Sequence, residues 1–188
     1  MYATIHPYRR PVGAGTDPQG VVRTALAEGA EPAGAIVVDH QDGDEGTVVA
    51  LWRDEAQAPA PAGTRAFGLV DRLDGVAAGR TPLFAMLTWV NGTGDPDVAG
   101  AAERGGRERI HPVVRDVDGL VCVLVFRSAD DRIVVVGLAT GLETHLEVQD
   151  RIARTPLLAG EDPALLPGAD RIELGRILRA DVPAEVRS

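Results

Sequence analysis

Leu120-Val-Cys-Val-Leu-Val-Phe126 is followed by Ser128-Ala-Asp-Asp131 and then by Arg132-Ile-Val-Val-Val-Gly-Leu138. β-Branched and aromatic residues fill both runs, and a short polar segment separates them, so the stretch predicts an antiparallel hairpin. Upstream, Phe84-Ala-Met-Leu-Thr-Trp-Val90 predicts a strand and Asn91-Gly-Thr-Gly94 a turn. Asp95-Pro96 then offers a helix start, with the carboxylate as cap and proline in the first turn. That helix extends to about Val114, weakened by Gly105-Gly106 and interrupted at Pro112. Downstream, Leu142, Leu146, Gln149 and Ile152 fall near one face of a second helix over 142–154. After a long loop, Ile172 to Leu178 alternates as a last strand.

The N-terminal part reads in the same order. Residues 1–9 predict a strand, and Asp17-Pro18 repeats the helix start ahead of the apolar stripe from Val21 to Ala27. Ala35 to His40 and Thr47 to Trp52 flank the polar segment Gln41 to Gly46 as a hairpin. Residues 54–64 are rich in Ala and Pro and make a poor helix. Arg65 to Asp71 predicts the closing strand. Each part is therefore strand, helix, hairpin, connection, strand, which is the order of a ferredoxin-like unit. The expected organisation is α+β: a first repeat over 1–75 with its second helix degenerate, a linker at 76–82, a second repeat over 83–180, and a tail at 181–188.

Composition narrows the function by exclusion. The chain has 188 residues and a net charge of −9, and an acidic surface repels phosphate backbones, so nucleic acid is not an expected partner. No apolar run reaches the length of a membrane span, and Met-Tyr-Ala-Thr-Ile-His-Pro carries no signal-peptide pattern, so a cytoplasmic location is expected. The single cysteine, Cys122, forbids an intrachain disulfide, and its place in an apolar strand reads as packing. All 19 basic residues are arginine, which excludes lysine-dependent phosphate loops and Schiff-base chemistry. Serine occurs only at Ser128 and Ser188, and no Gly-x-Ser-x-Gly elbow exists. Gly13-Ala-Gly15 has too few glycines for a dinucleotide fingerprint. Asp39, Asp42, Asp44 and Glu45 read as a solvated hairpin tip, because a calcium loop requires stricter spacing. No metal site and no cofactor are expected.

Three segments resemble the antibiotic-biosynthesis monooxygenase-like family. Thr47-Val-Val-Ala-Leu-Trp52-Arg-Asp-Glu-Ala56 is similar to its strand ending in Trp-Glu-Ser-Glu. Val117-Asp-Gly-Leu-Val-Cys-Val-Leu-Val-Phe126 resembles its Pro-Gly-Phe stretch. Leu142-Glu-Thr-His145-Leu146 is similar to its Ala-x-x-Ala-His-Leu helix, two residues sooner after the strand. The resemblance implies two antiparallel sheets packed as a dimeric α+β barrel, here within one chain, as a monomer with an internal pseudo-dimer or as a homodimer. It also implies a small apolar or aromatic ligand. The activity implied is cofactor-independent oxygenation of aromatic or polyketide-like compounds. The alternatives are a non-catalytic ligand-binding or stress-linked protein and a haem-binding or haem-degrading one.

Such chemistry needs a base, an oxyanion-stabilising donor and a dry pocket, which the two sheet faces could enclose. His145, Trp89 and Asn91 are the catalytic candidates, and Trp52, His111 and Phe84 the pocket candidates. Each has a plainer role open to it. Asn91 precedes glycine and is first a turn residue. Trp52 and Trp89 suit a core, and His111, before Pro112, suits a helix end. His145 is the best-placed titratable group. His6 and His40 join a pocket only if they face the barrel interior.

Overall fold

The protein is described by a computed structural model covering residues 1–10, 16–26, 28–41, 43–58 and 65–183. Gly13-Ala-Gly15, Asp42, residues 59–64 of the Ala-Pro segment and residues 184–188 of the tail lie outside the described residues. The strands are β1 (Tyr2–Arg9), β2 (Gly34–His40), β3 (Glu45–Trp52) and β4 (Ala66–Asp74), then β5 (Phe84–Val90), β6 (Leu120–Ser128), β7 (Ile133–Ala139) and β8 (Arg171–Asp181). The helices are α1 (Pro18–Ala25), α2 (Pro96–Gly105), α3 (His111–Val114) and α4 (Leu142–Arg154). Both Asp-Pro signals start helices. Asp17 accepts from the Gln19 and Gly20 amides, and Asp95 accepts from those of Asp97 and Val98.

The strands close a barrel in the order β1-β3-β2-β8-β5-β7-β6-β4, and every neighbouring pair is antiparallel. Within each half the sheet therefore runs fourth, first, third, second strand. The seams between halves are β2 with β8 and β4 with β6. Each seam carries a β-bulge at a matching place. Val70 is the extra residue between the pairs Leu69–Phe126 and Asp71–Val125, and Leu178 is extra between Ile177–Val38 and Arg179–Val37.

Strand alternation divides the apolar residues into three clusters. Ile36, Val49, Leu51, Leu87, Leu124 and Phe126 belong to a cluster drawn from both sheets that fills the barrel interior. An eight-stranded barrel is just wide enough for side chains to fill. The two sheet faces could have enclosed a pocket; here the space between them is filled by this cluster. A second cluster, with Val22, Val37, Val48 and Trp52, lies between the first sheet and α1. A third, with Val114, Leu120 and Val148, lies between the second sheet and the α3 and α4 helices. Among the described residues, no helix is long and apolar enough to cross a membrane.

Between α2 and α3 the backbone widens into a π-helical turn over Gly106–Ile110, where the His111 amide donates to the Gly106 carbonyl. The cause is local. Pro112 has no amide to give and its ring clashes with the carbonyl four residues back, while Gly105-Gly106 lowers the cost of rewinding. The expected helix to Val114 thus exists, with a shifted hydrogen-bond pattern where the sequence weakened it.

Candidate functional site

A cavity of about 310 Å³ lies on the outer face of the second sheet, under the helices. Its floor is Met86 and Thr88 of β5, Val123 and Val125 of β6, and Val135 and Gly137 of β7. Ile110, Val148 and Ile152 form the roof, and Leu165 to Ala169 of the loop before β8 close one side. The lining is mainly apolar, with a few polar groups converging on it, as in sites for small organic molecules. The polar groups are Asp71, Glu103, Arg109, His111, His145 and Gln149.

His145 sits near the start of α4, where two contacts set its position. The Thr144 hydroxyl donates to the Asp118 carbonyl at 2.9 Å. Gly119, at φ +82°, lets the chain turn there, and a Cβ on it would meet the Thr144 hydroxyl at 2.4 Å. Below the ring, Gly137 leaves the space that His145 occupies, since a Cβ there would lie 3.4 Å from its Cε1. His145 is 1% exposed, and its Nε2 has no hydrogen-bond partner among the described residues. Burial lowers its pKa, against a smaller opposing effect from a hydrogen bond to the Phe84 backbone. At neutral pH the ring is therefore uncharged, and Nε2 is left as a basic nitrogen without a proton donor.

The opposite side of the cavity is built by the two backbone irregularities. The Val70 bulge places Asp71 opposite Val125, on the cavity face, whereas unbroken alternation after Leu69 would have turned it into the barrel. The π-helical turn ends at His111, whose Nε2 stands 3.8 Å from Asp71 Oδ2. Burial lowers the His111 pKa, Asp71 raises it and Arg107 lowers it. Arg109 leaves the same turn and pairs with Glu161 at 3.0 Å, both side chains being mostly buried. Glu103 is held by Arg127 at 2.8 Å.

His145 and His111 line this cavity; the other predicted residues are placed elsewhere. Trp89 alternates away from Thr88 into the barrel, packs edge-on against Phe67 at 6.1 Å, and donates to Glu173 Oε1 at 3.1 Å. Asn91, at φ 60°, brackets a turn: its amide donates to the carbonyls of Asp95 and Asp131, both at 2.7 Å. Trp52 is buried in the first half, where its Nε1 donates to the Thr4 hydroxyl at 2.9 Å. Phe84 begins β5 and meets His145 through its backbone. His6 bonds Thr4 beside Trp52, and His40 stands 3.4 Å from Glu173 in a polar cluster with Thr47 and Trp89. Asp71, Glu103, Arg109 and Gln149 were not anticipated. Only an acidic residue ending an apolar strand marked Asp71, and nothing in the sequence places Val70 as a bulge.

Solved structures share this fold. A ferredoxin-fold protein from Listeria monocytogenes related to antibiotic-biosynthesis monooxygenases matches 94% of this chain and 95% of its own, with TM-score 0.51 and 6% identity. The fold is that of the antibiotic-biosynthesis monooxygenase-related proteins. An anthrone oxidase-like protein has it too, at TM-score 0.56 and 9% identity over 96% of this chain and 92% of its own. So does a major regulator of staphylococcal pathogenesis, at TM-score 0.56 and 8% identity over 94% and 98%. No family model and no curated protein matches the chain. At these identities the likeness establishes the fold, and the site must speak for the chemistry.

Proposed function

We propose that the protein takes a small, flat, largely apolar molecule into the cavity of its second half and oxidises it with molecular oxygen, without a bound cofactor. The observation that carries this reading is the apolar cavity lined by the buried ring of His145, whose Nε2 has no hydrogen-bond partner among the described residues. The lowered pKa keeps the ring unprotonated at neutral pH, so that it can accept a C–H or O–H proton from a bound ligand. With an anthrone-type substrate, the methylene gives its proton to Nε2 and the carbanion supplies electrons to oxygen. Loss of water leaves a carbonyl, so that CH₂ and O₂ become C=O and H₂O. The anthrone oxidase-like relative of the same fold supports the choice of substrate class. Oxygen uptake measured over a panel of phenolic anthrones tests the proposal. Turnover by the wild type should fall ~10²–10⁴-fold in His145→Gln, the usual worth of a general base. No uptake with any anthrone sinks it.

One observation favours a second reading, binding without turnover. Arg109, a cation at the cavity that could steady an oxyanion, is already engaged by Glu161. Calorimetric binding of anthrones without oxygen uptake would select it. Haem fits poorly. A haem-degrading site needs the Asn, Trp and His to converge, and here Asn91 brackets a turn while Trp89 packs inside the barrel.

A further inference from the structure

Asp71 and His111 belong to opposite halves of the barrel seam. One is delivered by a β-bulge and the other by a π-helical turn. Both devices interrupt regular hydrogen bonding, and both bring a polar group to the same wall of an apolar cavity. The matching bulge on β8 delivers Arg179, which pairs with Asp181 and lines no such cavity, so the bulge belongs to the closure of the barrel while the carboxylate is particular to this seam.

Asp71 also has an oxygen to spare. Its Oδ1 accepts from the Arg72 amide at 2.8 Å. Its Oδ2 has His111 at 3.8 Å and Arg107 at 4.0 Å, both beyond hydrogen-bonding reach. The register sets how far apart the strand positions beneath Asp71 and His145 lie. Asp71 stands opposite Val125 and Val125 opposite Val135, two residues short of Gly137, on which the His145 ring rests. Two strand spacings and a two-residue step put the Asp71 and Gly137 backbones about 12 Å apart.

We infer that the cavity has two polar poles, and that its ligand is a rigid fused-ring compound carrying a hydroxyl group at the end remote from the atom that faces His145. The hydroxyl donates to Asp71 Oδ2 and accepts from His111. Asp71 is thereby a specificity-determining residue, supplied by the first half to a site otherwise built by the second. This inference rests on the ligand class proposed above.

The test compares anthrone with an anthrone bearing one hydroxyl on its outer ring edge, by calorimetry, in the wild type and in Asp71→Asn. The wild type should bind the hydroxylated compound about 10-fold more tightly, the scale of a hydrogen bond to a charged group. In Asp71→Asn that preference should shrink to about 2-fold, with a cooperative thermal unfolding transition showing that the variant is folded. In oxygen-uptake kinetics the same substitution should raise KM for the hydroxylated compound more than KM for plain anthrone. Equal wild-type affinities, or a preference that survives Asp71→Asn, overturn the two-pole inference alone. If neither compound binds the wild type, the proposed function falls with it.

Discussion

Burial acts in one direction on three histidines. His6, His111 and His145 all have lowered pKa values, with desolvation as the largest cause in each. The unfolded chain takes up protons on these rings below pH 6.5, the ordinary histidine value, where the folded protein still resists them. Stability is therefore complete above that value and is lost as the pH falls through it toward the folded pKa values. Thermal unfolding should show Tm dropping between pH 7 and pH 5, and His145→Gln should flatten that slope. An unchanged slope in His145→Gln would mean that the ring is not neutral when folded. His145 could be singled out in the sequence as a titratable group on a periodic helix. That its Nε2 lacks a partner depends on Gly137, Phe84 and Thr144, which are brought beside it only by the fold. Asn91 shows the converse: its turn-forming role was visible in the Asn-Gly dipeptide, and its two carbonyl acceptors come from segments 4 and 40 residues away.

Among the elements, the strands could be read to within three residues and α4 by its bounds, but the buried face of α4 is Thr144, His145 and Val148, and Leu146 of the expected face is 62% exposed. Irregular elements could not be read in this way. Gly105-Gly106 and Pro112 announced a weak point but not that it would become a π-helical turn aiming Arg109 and His111. The loop between α4 and β8 was equally opaque. It is fastened over the cavity by Glu161, which accepts from the Leu158 amide at 2.8 Å and pairs with Arg109. Glu161→Gln leaves the Arg109 charge in a mostly buried position without its counterion, a loss of about 3 kcal/mol. Amide hydrogen exchange should accelerate across residues 156–170 in that variant, while β6 and β7 retain wild-type protection. Wild-type exchange throughout that loop would show that the ion pair does not fasten it.

At the scale of the molecule, the order of elements in the sequence implied two like sheets, and the barrel closes them through the β2–β8 and β4–β6 seams. Which sheet face would hold the cavity was not legible. Inside and outside alternate along each strand with equal apolarity, and the decision falls to the bulk of the cover. α1 has 8 residues, whereas α4 alone has 13 and is joined by α2 and α3. In the first half, Trp52 takes up the space beneath the smaller cover. Trp52→Ala should cost ~3–5 kcal/mol and leave a void there. Indole added to that variant should raise its Tm, and a failure to do so would mean that the void collapses.

Trp52 stands opposite Tyr2 at the end of β3, and Ala139 stands opposite Phe84 at the matching end of β7. A barrel assembled from two copies of one chain could not hold both, because each substitution would appear on both sides. Joining the halves covalently removes that constraint. One face can be closed with a tryptophan while the other stays open around a histidine, so the molecule can commit half of itself to holding its shape and leave the other half to change.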